Sequence, residues 1–148
     1  MALKKRLGGA RDPALLAFDA PAREECTARR ARSNTPLAAL VMLNDPTQLE
    51  SARALAELTI ESATNDEQRI QWMFRRVLTR NVKQEEKDVL IRFANQRRTE
   101  FQSDQSAANK LLAIGNRALP QGIDQTELAT WTSVGRVLLN MHETITRF

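Results

Sequence analysis

From Thr35 onward, apolar positions recur at intervals of three and four residues, the spacing of helices that bury one face. The clearest case lies within "NDEQRIQWMFRRVLTR", where Ile70, Met73, Phe74, Val77 and Leu78 fall at i, i+3, i+4, i+7 and i+8. Upstream, "NTPLAALVMLNDP" offers Asn34 or Thr35 as an N-cap with Pro36 at the first helical position. The almost wholly apolar turns from Leu37 to Leu43 then predict a helix buried on most sides. It stops by Asn44, because Pro46 disfavours the helical conformation for Asp45. Asp45 becomes the N-cap of a second helix through "PTQLESARALAELTIESA", in which Leu49, Ala52, Leu55, Ala56 and Ile60 share a face.

The stretch "KQEEKDVLIRFANQRRTEFQ" predicts a further helix with Leu90, Phe93, Ala94 and Phe101 inward. Asp104 or Ser106 opens a short segment through Leu111 and Leu112, which Gly115 is expected to end in a left-handed cap. After "NRALPQG", Asp124 followed by Glu127 forms a capping-box-like start for a long last helix bearing Leu128, Trp131, Val134, Leu138 and Ile145. No segment shows sustained two-residue alternation or an Asn-Gly hairpin turn. The fold class expected is all-α, a compact bundle of about five to six helices with an irregular arginine-rich N-terminal arm. An irregular start over residues 1–17 and a single helical domain over 18–148 are the expected boundaries.

Composition fits that picture. A chain of 148 residues with 42% hydrophobic and 27% charged residues, five glycines and five prolines is globular and long enough for a core without disulfides. Cys26 is the lone cysteine, so it forms no internal disulfide and leaves the compartment open. "MALKKRLGGARDP" has the basic cluster of a signal peptide without the apolar run of about 7–15 residues that follows one. No run approaches the roughly 18 apolar residues of a membrane span. The net charge of +4 permits an acidic partner, yet most basic residues have acidic neighbours at helical spacing, as in "QEEKDVLIR".

Candidate chemistry concentrates in "FDAPAREECTARRARSNTP". Asp19, Glu24 and Glu25 could supply a carboxylate pair for acid-base work in a hydrolase, and Arg23, Arg29, Arg30 and Arg32 equally account for them as bidentate ion pairs. The same arginines, with Asn34, Thr35 and the amides of the helix opening at Pro36, are the one anion-site arrangement the sequence proposes. The competing reading is that they cap carbonyls and lock the arm onto the bundle. With one histidine, one cysteine and no CxxCH or HExxH spacing, neither a metal site nor haem attachment is expected, and no cofactor is. His142 reads as a helix-surface residue whose charge complements the end of the last helix. Arg75, Arg76, Arg80, Arg97 and Arg98 add basic pairs, but exposed aromatics for base stacking are scarce, since Trp72, Phe74, Phe93, Phe101 and Trp131 fall on or beside core stripes. A solvated basic surface is the expectation, and nucleic acid is not an expected partner.

The order of segments carries more than their composition. "FDAPAREECTARRARSNTPLAALVMLNDP" resembles the signature of the planctomycete-specific domain of unknown function, found at the C-terminal end of large exported proteins that often carry cytochrome c-like modules. Asp19, Glu24, Asn44 and Asp45 match its structural motif, and "LATWTSVGRVLLNMHE", with Trp131, resembles its closing segment. Coverage extends over about residues 16–148. Departures are Ala22 for an acidic residue, Ser33 for threonine, Ala38 for glutamine, Gly135 for alanine and His142 for an acidic residue. The resemblance implies a C-terminal, N-terminally truncated piece of a larger protein, upstream domains as partners, and a periplasmic or cell-envelope setting. It assigns no catalytic residue. Two roles follow as expectations: a non-catalytic structural or interaction module, or a module for acidic or sulfated glycans using the arm.

Overall fold

The computed structural model describes residues 45–145, which lie in one compact unit, Leu43–Phe148. Six helices and no strand occur among them: α1 (Pro46–Ser62), α2 (Asp66–Leu78), α3 (Gln84–Ser103), α4 (Gln105–Leu112), α5 (Gln125–Leu139) and α6 (His142–Ile145). The expected all-α class is what the chain adopts. The predicted helix over Leu37 to Leu43 lies outside the described residues.

Local signals place most boundaries. Asp45 caps α1, its Oδ1 accepting the Thr47 amide at 2.7 Å with Pro46 in the first turn. Asn65 caps α2 by accepting from the Gln68 amide at 2.8 Å. Asp104 caps α4, accepting from Ala107, and Asp124 caps α5, accepting from Glu127. Each satisfies an amide the helix itself leaves open. At the other end of α2, Thr79 takes a left-handed conformation, φ 59°, unusual for a β-branched residue.

Two boundaries differ from expectation. The last helix is broken: α5 ends at Leu139, and α6 starts afresh at His142. Asn140 closes α5 with a tight turn in which its amide donates to the carbonyls of Arg136 and Val137, while the Thr144 hydroxyl donates to the Leu138 carbonyl at 2.6 Å. Ile145 is accordingly half-buried outside the core, and His142 is an exposed residue opening a short helix rather than closing a long one. The second difference is at Gly115. Helix α4 closes at Leu112 on Ala113, which remains right-handed, and Gly115, φ +104°, shapes the loop beyond it.

Helix α5 is the centre of the described bundle and touches all five of the others. Residues 128–135 are buried without a break, so α5 meets neighbours all round. Trp131 and Val134 are fully enclosed with Ile70, Met73, Phe74 and Leu112. Burying each such large side chain contributes roughly 1.5–3 kcal/mol. The polar residues on this surrounded helix are handled locally: Thr132 donates to the Leu128 carbonyl and Ser133 to that of Ala129. Of the expected inward residues of α3, Leu90, Ala94 and Phe101 are buried, whereas Phe93 is half-buried beneath the Arg97 guanidinium at 5.3 Å.

The approach of α1 to α5 depends on Gly135. A Cβ there would lie 3.0 Å from the Ala52 carbonyl oxygen and 3.4 Å from the Ala52 Cα. The alanine implied by the family resemblance at this position would therefore require α1 to give by a few tenths of an ångström. A β-branched residue demands more, and backbone yields poorly. Gly135→Val is expected to destabilise the domain by about 2–3 kcal/mol through overpacking, read as a lowered midpoint in chemical denaturation. An unchanged midpoint would show that α1 moves freely on α5.

Candidate functional site

Of the residues singled out in the sequence, Arg23, Arg29, Arg30, Arg32, Asn34, Thr35, Asp19, Glu24, Glu25, Cys26 and Asn44 lie outside the described residues. Asp45 and Trp131 are described, and both have structural partners. Asp45 is the α1 cap. Trp131 is fully buried, donates from Nε1 to Glu127 Oε2 at 3.1 Å, and lies 5.4 Å from the Arg69 guanidinium carbon.

Glu127 is the hub that the capping-box reading missed. Its amide donates to Asp124, as that reading requires, but its carboxylate leads inward instead of returning to the cap. Oε2 accepts from Trp131, from Arg69 Nη1 at 3.1 Å and from Arg98 Nη2 at 3.3 Å, and Oε1 accepts from Arg98 Nε. Arg98 also spans to both Asp66 oxygens at 3.1 Å and to Asn95 Oδ1 at 2.7 Å. Arg69 Nε donates to the Ala63 carbonyl at 3.0 Å. One carboxylate thus joins α2, α3 and α5. Burial by itself would raise its pKa, but hydrogen bonds from Arg98 and Trp131 and the charges of Arg98 and Arg69 bring it below the usual range. The Arg98 guanidinium is held more firmly protonated, chiefly by its hydrogen bond to Glu127.

A second cluster fastens the opposite ends of α2 and α3. Arg80 donates to Glu86 through Nη1 at 2.8 Å and Nη2 at 2.7 Å, and to Glu143 through Nε at 2.8 Å and Nη2 at 2.9 Å. Its guanidinium lies 5.1 Å from the Phe74 ring centre. Glu86 additionally accepts from the Lys83 amide at 2.9 Å, completing the start of α3. The Arg80 hydrogen bonds bring Glu86 down from 4.5 to about 2, hold Glu143 below the usual carboxylate range, and raise Arg80 itself.

The third cluster joins α1 to the loop after α4. Glu50 accepts from the Arg117 amide at 2.7 Å and the Asn116 amide at 3.4 Å. A Cβ on Gly115 would stand 3.0 Å from the Glu50 carboxylate, so that glycine supplies clearance as well as its left-handed conformation. Arg53, 2% exposed, donates to the carbonyls of Leu112 and Arg117. Arg117 in turn reaches Glu57 at 2.7 Å.

These clusters correct part of the solvated-surface reading. Arg80 and Arg98 are half-buried interhelical ties, and Arg97 pairs with Glu100 at 2.8 Å over Phe93. Arg75 remains exposed, with Nε on Asn81 Oδ1 at 3.1 Å. No group of three or more metal-ligating side chains is gathered among the described residues. An open groove of about 580 Å³ along α2, between the end of α1 and the start of α3, includes Gln68, Gln71, Trp72 and Arg75. Its polar groups are partly engaged: Gln71 donates to Asn81 at 2.7 Å, and Lys87 to Glu67 at 3.0 Å.

A family profile described as PSD1, protein of unknown function (DUF1553), matches residues 5–94. The chain belongs to this family. The PSD1 match runs from upstream of the described residues through α1 and α2 and into α3. Glu127, Trp131 and the rest of the segment 128–143 lie beyond its end. No curated protein and no solved structure matches this chain. No described helix is long and apolar enough to cross a membrane.

Two outcomes follow from the clusters. Glu127→Gln leaves Arg98 and Arg69 short of a charged acceptor and is expected to lower stability by about 2 kcal/mol, with a shift in the emission of the adjacent Trp131. A denaturation curve superposing on the parent's would show that Glu127 is dispensable. For pH, the folded-state value of Glu86 lies below its ordinary one, so its stabilising contribution is complete above about pH 4.5 and declines as pH falls toward 2. Glu86→Gln should therefore flatten the fall of melting temperature over that window, measured at constant ionic strength. A slope equal to the parent's would remove the assignment.

Proposed function

We propose that this PSD1-family chain is a non-catalytic helical module with a structural or interaction role in a larger exported or cell-envelope protein. One observation carries the reading: the half-buried Arg69, Arg80, Arg98, Glu86 and Glu127 of the described domain are committed to fastening helices to one another. Glu127 engages α2, α3 and its own helix, and Arg80 engages α3 and α6. A carboxylate that accepts from two guanidinium groups and an indole is held ionised, which suits a structural anchor better than a proton donor.

The second reading, an anion-binding module for acidic or sulfated glycans, draws on Arg23, Arg29, Arg30 and Arg32 within ten residues of sequence and on the predicted helix start at Thr35. The third, a hydrolase, draws on Asp19, Glu24 and Glu25. All three are tested on the full chain with Arg29→Ala, Arg30→Ala and Asp19→Ala variants.

The expected outcome is a single cooperative melt with equal calorimetric and van't Hoff enthalpies. Dextran sulfate binding should fall no further in the arm variants than in an Arg75→Ala, Arg76→Ala control. A loss of affinity of about tenfold or more confined to the arm variants supports the anion site. Turnover of a glycoside or ester that disappears in a folded Asp19→Ala variant overturns the non-catalytic role.

A further inference from the structure

We infer that α3 carries a self-complementary face through which two copies of this chain pair antiparallel. Its residues Glu85, Val89, Phe93 and Arg97 follow one another at four-residue intervals and form a single ridge. That ridge is acidic at its start, apolar in the middle and basic at its end.

The apolar middle is open to solvent. Val89 is 53% exposed and Phe93 is half-buried, and Val137 of neighbouring α5 is 39% exposed. Val137 borders two grooves at once. One, of about 350 Å³, includes Glu85, Val89 and Met141. The other, of about 450 Å³, includes Phe93, Arg97 and Leu111. Together they place apolar side chains beside Val89 and Phe93 on the flank of the ridge.

Charge and register select a second copy as the occupant. An isologous pair obeys a two-fold axis, so residue i meeting residue j requires j to meet i. With the axis at Ile91, Glu85 stands opposite the partner's Arg97, and Val89 opposite the partner's Phe93. Both pairings are complementary, one in charge and one in apolar character, and the symmetry repeats each of them. A parallel arrangement would oppose like residues, Glu85 to Glu85 and Arg97 to Arg97. Ridges of four-residue spacing also belong to the commonest class of helix packing.

Arg97 has capacity for this contact. Its Nη1 is taken by Glu100 at 2.8 Å and its guanidinium lies over Phe93, and the side chain as a whole is 39% exposed. Glu85 is exposed in the first turn of α3. The inference goes beyond the proposed role, because pairing through α3 is independent of whether the arm binds anions or substrates.

Sedimentation velocity on the full chain over a range of concentrations tests it, with helical content and melting temperature recorded for each variant. The parent is expected to show a reversible monomer–dimer equilibrium. Glu85→Arg and Arg97→Glu should each weaken it by about tenfold or more, and the double charge exchange should recover affinity to within about threefold of the parent. Val89→Asp, at an exposed position, provides an independent variant and should weaken the dimer without changing the fold. A parent that remains monomeric at several hundred micromolar overturns the inference. So does a dimer indifferent to both single exchanges and to Val89→Asp, or one that the double exchange fails to recover.

Discussion

The carboxylate of Glu127 collects the guanidinium groups of Arg98 and Arg69 and the indole N–H of Trp131, and most of the described architecture is organised around that convergence. Trp131 brings a large apolar surface into the core but carries one donor that must be satisfied there. Glu127, four residues earlier on the same helix face, satisfies it and in doing so becomes a half-buried charge that itself needs partners. Arg69 and Arg98 supply them from α2 and α3. The interaction is therefore reciprocal: apolar burial of the tryptophan positions the acid, and the acid fixes where two neighbouring helices stand.

The same logic recurs at the other ends of the helices. Arg80 joins α2 to α3 and α6 by two bidentate pairs, a geometry with more directional demand than a single ammonium contact could impose. Arg53 and Glu50 treat the loop after α4 in opposite ways, the arginine taking carbonyls and the glutamate taking amides. Backbone groups that would otherwise be open at a helix end and in a turn are thus satisfied from α1. Between these polar ties, α5 is packed closely enough that Gly135 has no room for an unhindered side chain against Ala52.

Two regions of this PSD1-family chain differ in character. Among the described residues, Glu127, Arg69, Arg98, Arg80 and Glu86 tie helices to one another, and α3 bears a ridge with an apolar middle and charged ends. The arginine-rich stretch from Arg23 to Arg32 holds the sequence features best suited to an anion and the carboxylates best suited to acid-base chemistry.

Helix identity and most starts were legible in the sequence because the causes are local. Asp45, Asp104 and Asp124 cap the helices that follow them, and Ile70, Met73, Phe74, Val77 and Leu78 form a buried stripe, all within a few residues of chain. The break after Leu139 was not legible, since Val134, Leu138 and Ile145 keep helical spacing across it and the turn is closed by hydrogen bonds of Asn140 and Thr144. Nor was the role of Glu127, where a local motif and a long-range ion cluster use the same residue type at the same position. Arg69 and Arg98 are 58 and 29 residues away from Glu127, and no periodicity reports which distant cation will meet a given acid. Amino-acid order by itself determined the helices and the faces they bury, because these depend on spacing along one chain segment. Only the tertiary structure decided which charges became anchors and which remained solvated, because that depends on how helices distant in sequence approach one another.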